Sequence, residues 1–245
     1  MKFHIITIFP NIFDSYFNES ILKRAQKKGL IDFSIVNLRD FTNDRHKTVD
    51  DTPYGGGAGM VMKVDVLHRA IDAIKKDITK KQKFSDEKAG SFQQVADRKK
   101  LQAKSYKLKT VLLSAKGKTW NQQMAKKYSK LDEVILICGR YEGVDERVKK
   151  FVDEEISIGD YVLTGGEIPA MAIVDSITRL LPGVLGNAQS TISESHSTPG
   201  ILEYPQYTRP EIFRIKDRKS KVPKVLLSGN HVEINKWRKK QSKTK

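Results

Sequence analysis

IGDYVLTGGEIPAMAIVDSITRLLPGVLG, residues 158–186, joins a short strand to an apolar helix through a glycine-bearing loop. The β-rich run Glu155–Ile158 ends at Gly159, and a polar loop follows with Asp160, Tyr161, Thr164 and the pair Gly165-Gly166. Glu167-Ile168-Pro169 opens the helix, because proline suits a first turn where its missing N–H is not needed. Ile173, Ile177 and Leu180/Leu181 recur at helical spacing as the buried face, and Pro182-Gly183 stops the run. Two readings are open for the loop alone. Its glycines can bring backbone N–H groups to a polar or anionic cofactor beside a helix N-terminus, or they can serve a tight strand-to-helix turn.

Outward from this stretch, strand and helix alternate. Phe3–Phe9, Phe33–Leu38, Thr110–Ser114 and Val134–Cys138 join Glu155–Ile158 as Ile/Val-rich strand candidates. Phe13, Phe17, Ile21 and Ala25 form one helical stripe closed by Gly29; Leu67, Ile71 and Ile74 form another, and a third helix runs from about Thr119 to Tyr128. Short apolar strands separated by helices predict an α/β fold, a mainly parallel sheet with helices on both faces. The Lys-rich residues 76–107 break the pattern and read as an exposed, partly helical insertion. The Ser/Thr-rich stretch NAQSTISESHSTPG (187–200) reads as a linker. Beyond it, Ser228-Gly229-Asn230 starts a basic helix with Ile234 and Trp237 on its apolar edge. The expected organisation is a domain over 1–186, a linker over 187–200 and a small helical domain over 201–245.

With 245 residues, 38% of them hydrophobic, the chain can bury a real core. Its net charge of +16 and isoelectric point near 9.7 favour a polyanionic partner, since Lys and Arg that neutralise phosphates release counterions. A Lys-rich surface that only confers solubility is the plainer alternative, and nucleic acid is favoured over it. The basic tail KWRKKQSKTK (236–245) is read in the same two ways. One cysteine, Cys138, rules out an internal disulfide and ends an apolar run, so it is expected as a small buried hydrophobe in a reducing compartment. MKFHIITIFP lacks the long apolar region of a signal peptide and no stretch matches a membrane span, so a cytoplasmic protein is expected.

Three glycine-bearing loops follow strands: SAKGKTW (114–120), GRYEGVDERV (139–148) and the loop at 158–167. Ligands of open α/β sheets bind at such carboxyl ends, so the three can converge on one cofactor. No GxGxxG follows the first strand and no GxxxxGK[ST] or GxSxG is present, which weakens dinucleotide, nucleoside-triphosphate and hydrolase readings. The five histidines lack metal-ligand spacing, so no metal site is expected. A fourth loop, RHKTVDDTPYGGGAGMVM (45–62), combines basic residues, Asp50 and Asp51, Tyr54 and consecutive glycines. Such a segment can wrap a nucleotide, with Asp accepting from a base edge and Tyr stacking; a flexible glycine turn is the bland counterpart.

GRYEGVDERV, the 158–186 stretch, YTRP (207–210), LLSGNH (226–231) and PYGGGAGM (53–60) together resemble the bacterial tRNA (guanine-N1)-methyltransferases. The resemblance spans nearly the whole chain in the family's order, apart from the Lys-rich insertion. It implies a trefoil-knotted (SPOUT) methyltransferase, a topology that sequence physics would reject as too rare. It also implies a homodimer with the active site at the subunit interface, a tRNA-binding C-terminal domain on a flexible linker, and S-adenosylmethionine as methyl donor. Donor contacts fall by similarity on Ser114, Gly117, Gly139, Tyr141, Glu142, Ile158, Gly159, Asp160, Tyr161, Val162, Leu163, Gly165 and Gly166. Candidate tRNA contacts are His46, Asp50, Tyr54, Gly55, Gly56, Gly57 and Gly59, with Arg209 of YTRP.

The acceptor implied is N1 of the guanosine immediately 3′ of the anticodon, position 37. That nitrogen carries a proton, so transfer needs a general base and a donor for charge developing on O6. Arg179 matches the family's catalytic arginine. The family's base is an aspartate in the linker of the partner subunit, and here that position holds Glu194, one methylene longer. His196 is the weaker candidate for the role. Ala58 and Ala115 stand where the family usually has proline, which alters loop stiffness more than chemistry. Mg²⁺ participation is neither required nor excluded by these residues. Two other functions are weighed: a ribose 2′-O-methyltransferase of the same fold, which GGGAG and YTRP fit poorly, and a non-catalytic RNA-binding protein, against which Arg179, Glu194 and the complete loops argue.

Overall fold

The structure is a computed structural model that describes residues 1–91, 106–186, 194–216 and 218–244. Its residues divide into two compact units, Met1–Leu185 and Gly186–Lys245.

The first unit is built on five parallel strands: β1 (Lys2–Thr7), β2 (Asp32–Asn37), β5 (Leu108–Thr119), β6 (Glu133–Cys138) and β7 (Glu154–Ser157), in spatial order β2-β1-β6-β5-β7. Between β2 and β5 lies a two-residue hairpin, β3 (Asp50–Asp51) with β4 (Val61–Met62). Because side chains alternate across a sheet, the strands feed two cores. Phe3, Ile5, Val111, Leu113, Val134, Leu136 and Cys138 face one side. There they meet α1 (Asp14–Phe17), α2 (Ser20–Lys27), α4 (Gln122–Tyr128) and α5 (Glu167–Thr178). Ile6, Leu112, Ile135 and Ile137 face the other side and meet α3 (Val64–Ser91) and a 3-10 turn at Glu146–Phe151. The predicted α/β architecture with a mainly parallel sheet is therefore present. Buried on both faces, the strands read as apolar runs rather than alternating ones.

Several boundaries differ from the sequence reading. The first helical stripe is not one helix: a 3-10 turn (Pro10–Phe13) and α1 end at Asn18, and α2 begins at Ser20, whose φ of 47° breaks the rod. The stripe still packs as predicted, with Phe17 stacked on Phe33 at 4.1 Å. Helix α3 runs through Ser91, well inside the stretch read as an insertion from residue 76. Ile78 is buried in the core beside Ile74. Residues 92–105 of that stretch lie outside the described residues. Strand β5 is longer than Thr110–Ser114 and irregular: Leu113 and Lys118 both stand opposite Ile156, so residues 114–117 bulge out and return to the same partner.

The second unit is not purely helical. Strand β8 (Ile201–Leu202) pairs with β11 (Lys243–Thr244), and β9 (Ile212–Ile215) pairs with β10 (Arg218–Lys221) in an exposed hairpin. Helices α6 (Lys224–Leu227) and α7 (His231–Gln241) complete it. Asn230 caps α7 through its side chain, and Ile234 is the buried residue of that helix. Of the expected linker, 187–193 fall outside the described residues. Residues 194–200 form turns, with the Ser197 N–H donating to the Glu194 carbonyl and the His196 N–H to that of Ile201.

Candidate active site

The topology brings three loops to one place. From β5 the chain goes to β6 on one side, then crosses to β7 on the other, so the carboxyl ends of all three strands adjoin. The loops after them enclose a cavity of about 260 Å³. Of the thirteen residues expected to contact a methyl donor, eleven line it: Ser114, Gly139, Tyr141, Glu142, Ile158, Gly159, Tyr161, Val162, Leu163, Gly165 and Gly166. Ala115 also lines it. Asp160 is exposed and outside the lining. Gly117 is outside too, pressed on the strand behind: a Cβ there would lie 2.4 Å from the Ile156 backbone nitrogen.

The lining mixes apolar side chains with charges of both signs, Lys116, Arg140 and Lys149 among them. Ile158, Val162 and Leu163 present apolar surface, backbone groups of the glycine loops present hydrogen-bond edges, and Glu142, Glu146 and Glu155 supply carboxylates. The Lys149 ammonium in the same wall is paired with Glu146 at 2.8 Å and Glu155 at 3.2 Å, so its charge is compensated. Tyr141 holds a left-handed backbone at φ 60°, a conformation that costs a non-glycine residue and concentrates at functional sites. Burial raises its phenol pKa; the Asp50 carboxylate raises it further, and Arg39 opposes both.

That contact ties the fourth loop to the cavity. The Glu142 N–H donates to the Met60 carbonyl at 3.0 Å, and the Met62 N–H to that of Gly143 at 3.0 Å. Gly55, Gly56, Gly57 and Gly59 all have positive φ, so glycine is required there for conformation. Gly59 also lies so close to Glu142 that a Cβ would sit 2.5 Å from its side chain. Asp50 thus stands at the cavity rim, while Tyr54 is 100% exposed and His46 sits in an exposed turn. Arg179, half-buried, is the C-cap of α5 in the first unit. Glu194, His196 and Arg209 belong to the second. Among the described residues no group of three His, Cys, Asp or Glu side chains is placed to hold a metal.

Two residues were quoted within motifs but not singled out from them. Glu167, buried, and Arg140, which itself lines the cavity, form an ion pair, Nε to Oε2 at 2.9 Å. Glu167 read only as a helix opener, and the signal that could have found the pair is a lone arginine and a lone glutamate each abutting a glycine in adjacent loops.

The profile of the family described as tRNA (Guanine-1)-methyltransferase TrmD matches residues 1–245, the full length. The chain belongs to that family. It is 49% identical over 242 residues to the tRNA (guanine-N(1)-)-methyltransferase of Dictyoglomus turgidum, covering 99% of this chain and 85% of that protein. The enzymes of that name from Citrifermentans bemidjiense and Carboxydothermus hydrogenoformans are each 50% identical. They match 98% and 99% of this chain and 84% and 83% of their own lengths. The family matched is the one that the loops and the YTRP and LLSGNH segments resembled. Membership of a tRNA methyltransferase family is consistent with the net charge of +16.

Proposed function

We propose that the protein transfers a methyl group from S-adenosylmethionine to N1 of the guanosine immediately 3′ of the tRNA anticodon, position 37. The observation that carries this is the convergence of three glycine loops on one cavity, in a chain matched from end to end by a guanine-N1 methyltransferase family. S-adenosylmethionine supplies a methyl group bound to a sulfonium, which the Glu142 carboxylate in the cavity wall favours electrostatically. Tyr161, Val162 and Leu163 hold the flat ring, and Asp50 with Tyr141 meets the guanine edge at the rim. Arg179 donates to O6, and Glu194 of the partner subunit takes the N1 proton, so the nitrogen lone pair is free when the methyl group arrives.

The same reading includes a trefoil knot at the carboxyl edge of the sheet. The bulge at 114–117, which leaves and rejoins the partner strand at Ile156, and the close seating of Gly166 on Cys138 support it. A homodimer is also part of it. The exposed apolar side chains Phe9, Ile12, Tyr16 and Ile168 lie on the 3-10 turn, α1 and α5, which pack together, and offer the interface. The second unit, with its basic α7, would contact tRNA. No helix among the described residues is long and apolar enough to cross a membrane; tRNA as substrate assigns the protein to the cytoplasm.

The test is methyl incorporation from labelled S-adenosylmethionine into tRNA carrying guanosine or adenosine at position 37. Labelling of the guanosine tRNA alone, recovered as N1-methylguanosine, is expected. Equal labelling of both substrates, or recovery of a 2′-O-methylated ribose, would replace this reading with the ribose methyltransferase.

A further inference from the structure

Glu167 is 1% exposed and takes no part in the chemistry above, yet it is the centre of a closed ring of contacts. Its Oε1 accepts from the Thr7 hydroxyl at 2.8 Å and its Oε2 from Arg140 Nε at 2.9 Å. The Thr7 oxygen in turn accepts from the Phe9 N–H at 3.0 Å, and the Arg140 guanidinium lies 4.6 Å above the Phe9 ring. Arg140 also donates through Nη1 to the carbonyl of Thr164 at 3.1 Å. One carboxylate therefore joins the end of β1, the loop after β6 and the first turn of α5.

The two adjacent glycines make room for this ring. A Cβ on Gly165 would lie 2.2 Å from Arg140 Nε and 2.6 Å from Glu167 Oε2; one on Gly166 would lie 2.6 Å from the Cys138 Cα. Their absent side chains let the loop close onto the ion pair, and Gly166 N–H then donates to the Gly139 carbonyl at 2.9 Å. Arg140 and Gly165 also form an isolated antiparallel bridge. A buried ion pair is a poor source of net stability compared with apolar packing, but removing one partner leaves a stranded charge, so such pairs fix geometry.

We infer that Glu167 is a positioning residue of the donor cavity. Acting through Arg140 and Thr7, it holds the wall formed by residues 158–166 at a set separation from the wall formed by 139–145. Glu167 reaches the ligand only through those walls, whereas Arg140 itself lines the cavity. Naming the ligand as S-adenosylmethionine rests on the proposed function; the clamp itself does not.

Glu167→Gln keeps the side-chain shape and removes the charge. In this variant amide hydrogen exchange across 158–166, measured without donor, is expected to speed up by about tenfold while β6 and α3 keep the parent rates. The Kd for S-adenosylmethionine, read by calorimetry, is expected to rise by about tenfold. In turnover assays the donor KM rises in step, and kcat at saturating donor stays within about threefold of the parent. Thr7→Val, which deletes the hydroxyl's bonds to Glu167 and from the Phe9 N–H but leaves the ion pair, is the milder variant should Glu167→Gln fold poorly. It is expected to loosen the same amides by roughly threefold. Unchanged exchange at 158–166 in a folded variant would overturn the clamp. A parent protein that binds no S-adenosylmethionine would overturn the donor reading instead, and the exchange measurement would still decide the clamp.

Discussion

Gly117 and Glu194 show how differently single residues are constrained. At Gly117 the obstacle to any side chain is backbone, with Glu155 and Ile156 within 2.6 Å of the Cβ position, so no rotamer relieves it. Gly117→Ala is expected to cost about 3 kcal/mol, read as a lower urea midpoint in equilibrium unfolding. Glu194 is, in the proposed function, constrained by chemistry. Under the proposed mechanism, Glu194→Gln lowers kcat by about a hundredfold or more with donor affinity retained, since it removes proton acceptance but not shape. Near-parent turnover would take Glu194 out of the mechanism. Arg179→Ala is expected to fall comparably in kcat by losing the donor to O6. What the sequence disclosed at this scale was residue identity. Cys138, read as a small buried hydrophobe, is fully buried, and burial pushes its thiol pKa well up. It could not disclose that Gly117 faces a strand rather than the cavity, because glycine looks the same whether a ligand or a backbone is its close neighbour.

At the scale of elements, legibility followed the apolar pattern. The inner strands β1, β5 and β6 were found because continuous apolar runs mark strands buried on both faces, while the edge strands β2 and β7 carry weaker runs. Helix α5 was found from Pro169 and the spacing of Ile173 and Ile177, and α7 from Asn230. The Asn230 side chain accepts from the N–H groups of Val232 and Glu233. Asn230→Ala is expected to cost about 1 kcal/mol, seen as a lower thermal midpoint. Helix α3 was cut short by composition. Beyond Ile74 its sequence is mostly Lys, Asp and Gln, which resembles a solvated loop. Those residues are good or tolerable helix formers, though, and the pairs Asp72–Lys76 and Asp77–Lys81 bridge successive turns. One buried isoleucine per turn, Ile74 then Ile78, was enough to carry the helix on. The break before α2 had the opposite cause: Phe13, Phe17 and Ile21 keep helical spacing across a backbone that leaves the helix at Ser20.

For the whole molecule, composition pointed at the partner and said nothing of topology. A charge of +16 fits a tRNA ligand, and removing residues 239–245 is expected to weaken tRNA binding and flatten its salt dependence by about one phosphate contact per lysine lost. An unchanged salt slope would leave the tail a solubilising end. The apolar surface at Phe9, Ile12, Tyr16 and Ile168 was invisible beforehand because nothing in a sequence separates a core isoleucine from one awaiting a partner. Under the proposed homodimer, Ile12→Asp is expected to shift sedimentation equilibrium from dimer to monomer, and a dimer that persists would move the interface elsewhere. The proposed knot is equally beyond the reach of periodicity, which finds strands, whereas threading depends on the order in which the chain passes them.

That order also sets a timetable. In the sheet Lys2 faces Glu133, so β1 has one neighbour, β6, that is synthesised long after it. At the usual pace of translation, roughly 5–20 residues per second, β6 follows β1 by on the order of ten seconds. During that interval β1 and β2 can pair, but the far edge of β1, with Phe3, Ile5 and Ile6, stands open. A nascent chain with an uncovered apolar strand edge invites non-native pairing, so this protein is born dependent on whatever shields that edge until its partner emerges.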